Sequence, residues 1–110
     1  MSSELNSPIK LLYVTCKDIE QARSIGRAIV TERLAACVNI IPGMESIYPW
    51  EGKIDTSTET LLIIKTTEKL SQNCIDRVIS LHCYEIPCVL NIDVLGGNGS
   101  YLNWIRDQVY

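Results

Sequence analysis

Runs of strand-forming residues alternate along this chain with segments whose apolar residues recur at helical spacing. That alternation restricts the fold more than any single motif does. Ile9 to Thr15 is rich in strand formers and is bounded by Pro8 and Asp18, which suits a buried strand. Asp18 followed by Gln21 has the spacing of a capping box. Ile19, Ala22, Ile25, Gly26, Ile29, Val30 and Leu34 then share one side of a helical pattern, with Glu20, Gln21, Arg23, Arg27 and Glu32 on the other. This predicts an amphipathic helix of about four turns.

A second strand follows from Cys37 to Tyr48, interrupted at Pro42-Gly43, where it is expected to bend because proline is confined to edges and bulges in sheets. Pro49 to Lys53 supplies hairpin turn chemistry. The return strand starts near Ile54 and ends in the apolar run Leu61 to Ile64 and then Lys65, Thr66 and Thr67. Its first half, Asp55 to Glu59, is polar and should face water or a partner chain. Thr67 can cap a second helix, in which Leu70, Cys74, Ile75, Val78, Ile79 and His82 share the apolar side. Pro87 to Leu95 reads as the last strand, Gly96 to Gly99 as a turn, and Ser100 as the cap of a short helix carrying Tyr101, Leu102, Trp104 and Ile105. The order is β-α-β-β-α-β plus a terminal helix, an α+β sandwich of the split βαβ, ferredoxin-like plan. One domain spans residues 9–110, behind a polar lead-in over 1–8 expected to be disordered.

The formal net charge of −3 and ten scattered basic residues give no phosphate-tracking surface, so no nucleic-acid partner is expected. No segment approaches the roughly 18–20 apolar residues of a membrane span. The five cysteines, an odd number with no CxxC pair, argue against a disulfide framework or a zinc knuckle. They suit small buried hydrophobes in a reducing, cytoplasmic setting.

His82-Cys83-Tyr84-Glu85-Ile86-Pro87 contains the chain's only histidine, and sets an imidazole, a thiol, a phenol and a carboxylate side by side. Imidazole is a common metal ligand. The plainer reading of a histidine ending a helix is that it caps the last carbonyls. A thiolate at Cys83 would favour copper(I) or zinc, and acidic donors harder ions. Because His82 and Cys83 project differently, a complete site would need ligands from elsewhere, Cys88 or another chain included. Glu59 and Lys65, six residues apart on one strand, share a face, either as exposed ion-pairing groups or as the two signs of a cleft. The Tyr48-Pro49-Trp50 tip of a long hairpin would leave an apolar, unpaired edge that favours oligomerisation. The glycines at 96, 97 and 99 fit neither a dinucleotide fingerprint nor a P-loop. No nucleophile–base pair is evident, so no enzyme is expected.

Five segments in order, Glu32 to Ile40, Ser46 to Gly52, Glu59 to Thr66, His82 to Pro87 and Tyr101 to Trp104, resemble the CutA family of divalent-cation-tolerance proteins. The resemblance covers nearly the whole chain from Leu11 onward. It implies a ferredoxin-like homotrimer whose long hairpins pair across subunits, shaped like the PII signalling proteins. It also implies tolerance of copper and other divalent cations through metal binding rather than catalysis, with no essential cofactor. The clefts between subunits would be lined by Trp50, Glu59, Lys65, His82 and Tyr84, with His82 as the metal ligand; Cys83, a candidate ligand from this chain's own residues, stands beside it. Cys83 and Cys88 replace the proline and acidic residue usual in the family, making the expected ligand set richer in sulfur. The alternatives are a PII-like small-ligand or signalling module that uses Lys65, and a trimeric scaffold for another protein.

Overall fold

A computed structural model describes residues 7–110. The expected lead-in therefore lies outside the described residues except for its last two. Ser7 is buried and its carbonyl accepts from Arg106 Nε at 2.9 Å, while the Pro8 carbonyl accepts the Glu68 amide at 2.8 Å.

The elements are β1 (Ile9–Cys16), α1 (Ile19–Thr31), β2 (Cys37–Trp50), β3 (Lys53–Thr67), α2 (Glu68–Leu81), β4 (Val89–Val94) and α3 (Gly99–Gln108). Four strands form one sheet in the order β2-β3-β1-β4, antiparallel throughout. This is the expected α+β, ferredoxin-like plan, with α3 added at the end.

The caps refine the sequence reading. Asp18 accepts from the Gln21 amide at 2.8 Å, but Gln21 Oε1 reaches back to the Lys17 amide at 2.9 Å, one residue earlier than a capping box would place it. That bond draws Gln21 off the solvated face and buries it. α1 stops at Thr31, short of Leu34, because Arg33 turns into the left-handed region (φ 59°) and the Leu34 amide closes back on the Ile29 carbonyl. Thr67 stands at the N-cap of α2, yet its buried hydroxyl bonds nothing. Asn98, not Ser100, caps α3, its Oδ1 accepting from the Ser100 amide at 3.2 Å. Val30 and Ile79, placed by periodicity on the apolar sides, are exposed.

α1 and α2 cover one face of the sheet. Leu12, Val14, Leu62 and Ile64 are completely buried there against Ile25, Ile29, Cys74 and Val78. Burying each such aliphatic side chain stabilises the fold by about 1.5–3 kcal/mol. Alternation along the paired strands puts Leu11, Tyr13, Leu61, Ile63, Leu90 and Ile92 on the opposite face. α3 closes only one end of that face, packing Ile105 and Val109 against Ile9. Leu90 and Ile92 remain 56% and 45% exposed.

β2 and β3 overrun the rest of the sheet. β1 pairs with β3 only from Thr60 to Thr67, so Lys53 to Glu59 has β2 as its sole neighbour. The ladder shifts between Ile41 and Met44, where Pro42 and Gly43 (φ 80°) form a bulge opposite Thr60. At the tip, Glu51 (φ 50°) and Gly52 (φ 76°) make a two-residue turn joining the paired residues Trp50 and Lys53. The overhang stretches the molecule to 53 × 25 × 21 Å.

Candidate functional site

α2 ends at Leu81 and β4 starts only at Val89, so the segment between them needs other support. It runs past the end of β1, where the Thr15 amide donates to the Cys88 carbonyl at 3.4 Å. Together with the hairpin overhang it borders a cavity of about 620 Å³. Trp50, Glu59, Cys83 and Tyr84 line it, with Thr15, Lys17, Tyr48, Glu85 and Cys88.

Four of the residues expected at a cleft therefore meet in one chain. Tyr84 donates from its hydroxyl to Glu59 Oε2 at 2.8 Å. Burial, reinforced by that bond to Glu59, pushes the Tyr84 phenol well above its ordinary range, so it stays protonated as a donor. Cys83 is exposed and Cys88 half-buried. Lys65 lies elsewhere: six residues further along β3, its Nζ donates to the Tyr101 hydroxyl at 3.1 Å. Tyr101 in turn stacks on Trp104, ring centroids 5.6 Å apart.

His82 stands behind the cavity wall. Its backbone amide caps α2 by donating to the Ile79 carbonyl at 3.3 Å, so the helix-ending role belongs to the main chain and not the imidazole. The ring is engaged twice. Nε2 lies 2.8 Å from the Thr15 carbonyl, and Nδ1 accepts the Tyr84 amide at 3.1 Å. A carbonyl only accepts and an amide N–H only donates, so the ring is the neutral Nε2–H tautomer. Neither nitrogen has a free lone pair for a metal. Among the described residues no three His, Cys, Asp or Glu side chains gather closely enough to hold an ion. The residues of a single chain thus do not fit a divalent cation as they stand.

Thr15 and Lys17 were missed by sequence reasoning. Thr15 holds the segment through its carbonyl to His82 and its amide to Cys88, backbone contacts that no side-chain pattern betrays. Lys17 enters the cavity by following the end of β1, a position that only the fold defines.

Cys16 and Cys74 are buried, and burial raises their thiols to about 11 and about 12 respectively; Cys83 and Glu59 add a smaller push at Cys16. Because the thiolate is the reactive species, a maleimide should label Cys83 in the native protein and reach Cys16 and Cys74 only after denaturation. Mass mapping of labelled peptides checks this; native labelling of Cys74 would contradict the packing of α2.

Fold and cavity together define an α+β domain of ferredoxin-like topology with a cavity of mixed polar and apolar lining along an overhanging hairpin. The family model for the CutA1 divalent ion tolerance protein matches residues 10–108, so the chain belongs to that family. It is 42% identical over 99 residues to the divalent-cation tolerance protein CutA of Thermus thermophilus, covering 90% of this chain and 96% of that protein. It is 42% identical over 107 residues to the chloroplastic protein CutA 1 of Oryza sativa, covering 97% of this chain but only 60% of the rice protein. The crystal structure of CutA1 from Oryza sativa superposes with a TM-score of 0.92 at 42% identity, covering 94% of this chain and 95% of that one. Among the described residues, no helix is long and apolar enough to cross a membrane.

Proposed function

We propose that this chain is a non-enzymatic cytoplasmic homotrimer of divalent-cation tolerance that binds copper or related cations in clefts between its subunits. Membership of a family named for divalent ion tolerance supports the cation role. The observation that carries the assembly is the uncovered sheet face. Leu90 and Ile92 beside Leu11, Tyr13, Leu61 and Ile63 form an apolar surface that a monomer would leave in water. The overhanging ribbon, with Ile47, Trp50 and Ile54 exposed, offers unpaired edges to a neighbour. Pairing around a closed three-fold ring covers every such edge. One chain then offers Glu59 and Cys83 at the cavity, and the donors it lacks come from the adjacent subunit.

A second reading follows from the cavity itself, whose 620 Å³ falls within the size range of small-ligand pockets. A PII-like role would bring an anionic metabolite to this cavity, with Lys65, which lies outside it in the single chain, supplied by a neighbouring subunit. Native mass spectrometry of the reduced protein with and without equimolar Cu(II) or Zn(II) separates the readings. The expected result is a particle of three times the 12.4 kDa chain mass, taking up about one ion per chain, with uptake lost in Glu59→Gln/Cys83→Ser. A trimer that takes up no ion specifically would sink the cation role and favour the ligand reading, which Lys65→Ala should then abolish.

A further inference from the structure

We propose that His82 is a positioning residue: it ties the segment between α2 and β4 to the end of β1 and so builds the cavity wall, leaving cation binding to other donors. This rests on the cation reading above only for what it excludes. The tether is visible in four groups. The Thr15 carbonyl takes the Nε2 proton at 2.8 Å, and the Tyr84 amide donates to Nδ1 at 3.1 Å. The Tyr84 ring lies against the imidazole, centroids 4.6 Å apart at 52°. The Tyr84 hydroxyl then reaches Glu59 at 2.8 Å. Thr15, His82, Tyr84 and Glu59 thus form a continuous chain of contacts from β1 to the hairpin overhang.

A ligand histidine normally offers one nitrogen to the metal and uses the other to fix its orientation. Here both are spent on backbone partners, which is the arrangement of a brace. The backbone it braces is otherwise without a ladder, since residues between Leu81 and Val89 lie outside helix and strand. Cys83 and Tyr84, which follow His82 directly, take their places at the cavity from this anchor.

Asparagine and glutamine each copy half of the imidazole. The Oδ1 of asparagine stands where Nδ1 does and accepts the Tyr84 amide. The Nε2 of glutamine reaches toward the Thr15 carbonyl but leaves the Tyr84 amide without an acceptor. Amide hydrogen exchange at Tyr84 in the full chain, with no metal present, should speed up about tenfold in His82→Ala and His82→Gln, the effect of one lost hydrogen bond. His82→Asn should restore it to near the wild-type rate. Imidazole 15N NMR of the wild type at mildly alkaline pH should give the Nε2–H tautomer, with both ring nitrogens unmoved when equimolar Zn(II) is added. A Zn(II)-induced shift at either nitrogen, an Nδ1–H tautomer, or equal exchange in His82→Asn and His82→Ala would each overturn the tether. The exchange ranking needs no cation, so a chain that binds no metal would fail the preceding reading and leave this one decided on its own terms.

Discussion

Leu90→Asp combined with Ile92→Asp will turn the proposed trimer into monomers while leaving each chain folded. Both side chains are already 56% and 45% exposed in the single chain, and both point away from α1 and α2. In a true monomer such a change is a surface substitution, within about 0.5 kcal/mol of neutral. In an assembly that buries the face, every subunit would carry two carboxylates into an apolar contact without partners, at a cost of several kcal/mol each. The same substitution therefore has two widely separated expected magnitudes, and assembly decides between them. Sedimentation equilibrium should report the single-chain mass for the variant and three chains for the parent. The parent's Tm should also rise with protein concentration, whereas the variant's should not. A variant that remains trimeric, or a parent that is monomeric, would remove the argument for the uncovered face.

The order of strands and helices along the chain could be read from the sequence because period-two and helical patterns are strong where one face meets a core. Leu12, Leu62 and Ile64 sit in runs whose burial leaves no other register. The hairpin bend was equally legible, since Pro42-Gly43 has few uses in a strand other than the bulge seen there. Helix ends were less so. Arg33 in a left-handed conformation and Asn98 in place of Ser100 as a cap depend on bonds formed after the chain has folded. Of the cleft residues that the family resemblance grouped, Trp50, Glu59 and Tyr84 line one cavity while Lys65 and His82 do not, and what His82 does was not legible. Its role depends on the Thr15 carbonyl, 67 residues away in sequence and identical in chemistry to any other carbonyl. Lys65 illustrates the converse: alternation rightly gave it the face of Glu59, yet that face is long enough for the two to serve different neighbours.

Gly26→Ala will destabilise the fold by about 1–3 kcal/mol, the range for overpacking a tight core, and Gly26→Leu will exceed that. Helix propensity alone predicts the opposite sign, because alanine in a helix interior is favoured over glycine by about 1 kcal/mol. The contact between α1 and β2 overrides it. A Cβ at position 26 would stand 2.8 Å from Val38 Cγ2 and 3.7 Å from Leu62 Cδ1. Val38 cannot swing aside cheaply, since a β-branched side chain is stiff at χ1, and its strand is paired through Ile64 to the centre of the sheet. The helix must then lift from the sheet, loosening Ile25 and Ile29 from a core in which both are buried. Removing the obstacle tests this cause directly. In a Val38→Ala background the added methyl of Gly26→Ala fills the space left by Val38, so the double variant should be more stable than the sum of the two single changes by about 1 kcal/mol or more. Urea unfolding of the four proteins at one chain concentration measures that coupling. Additive losses would mean that α1 does not ride against Val38 and that the glycine answers some other demand of the helix.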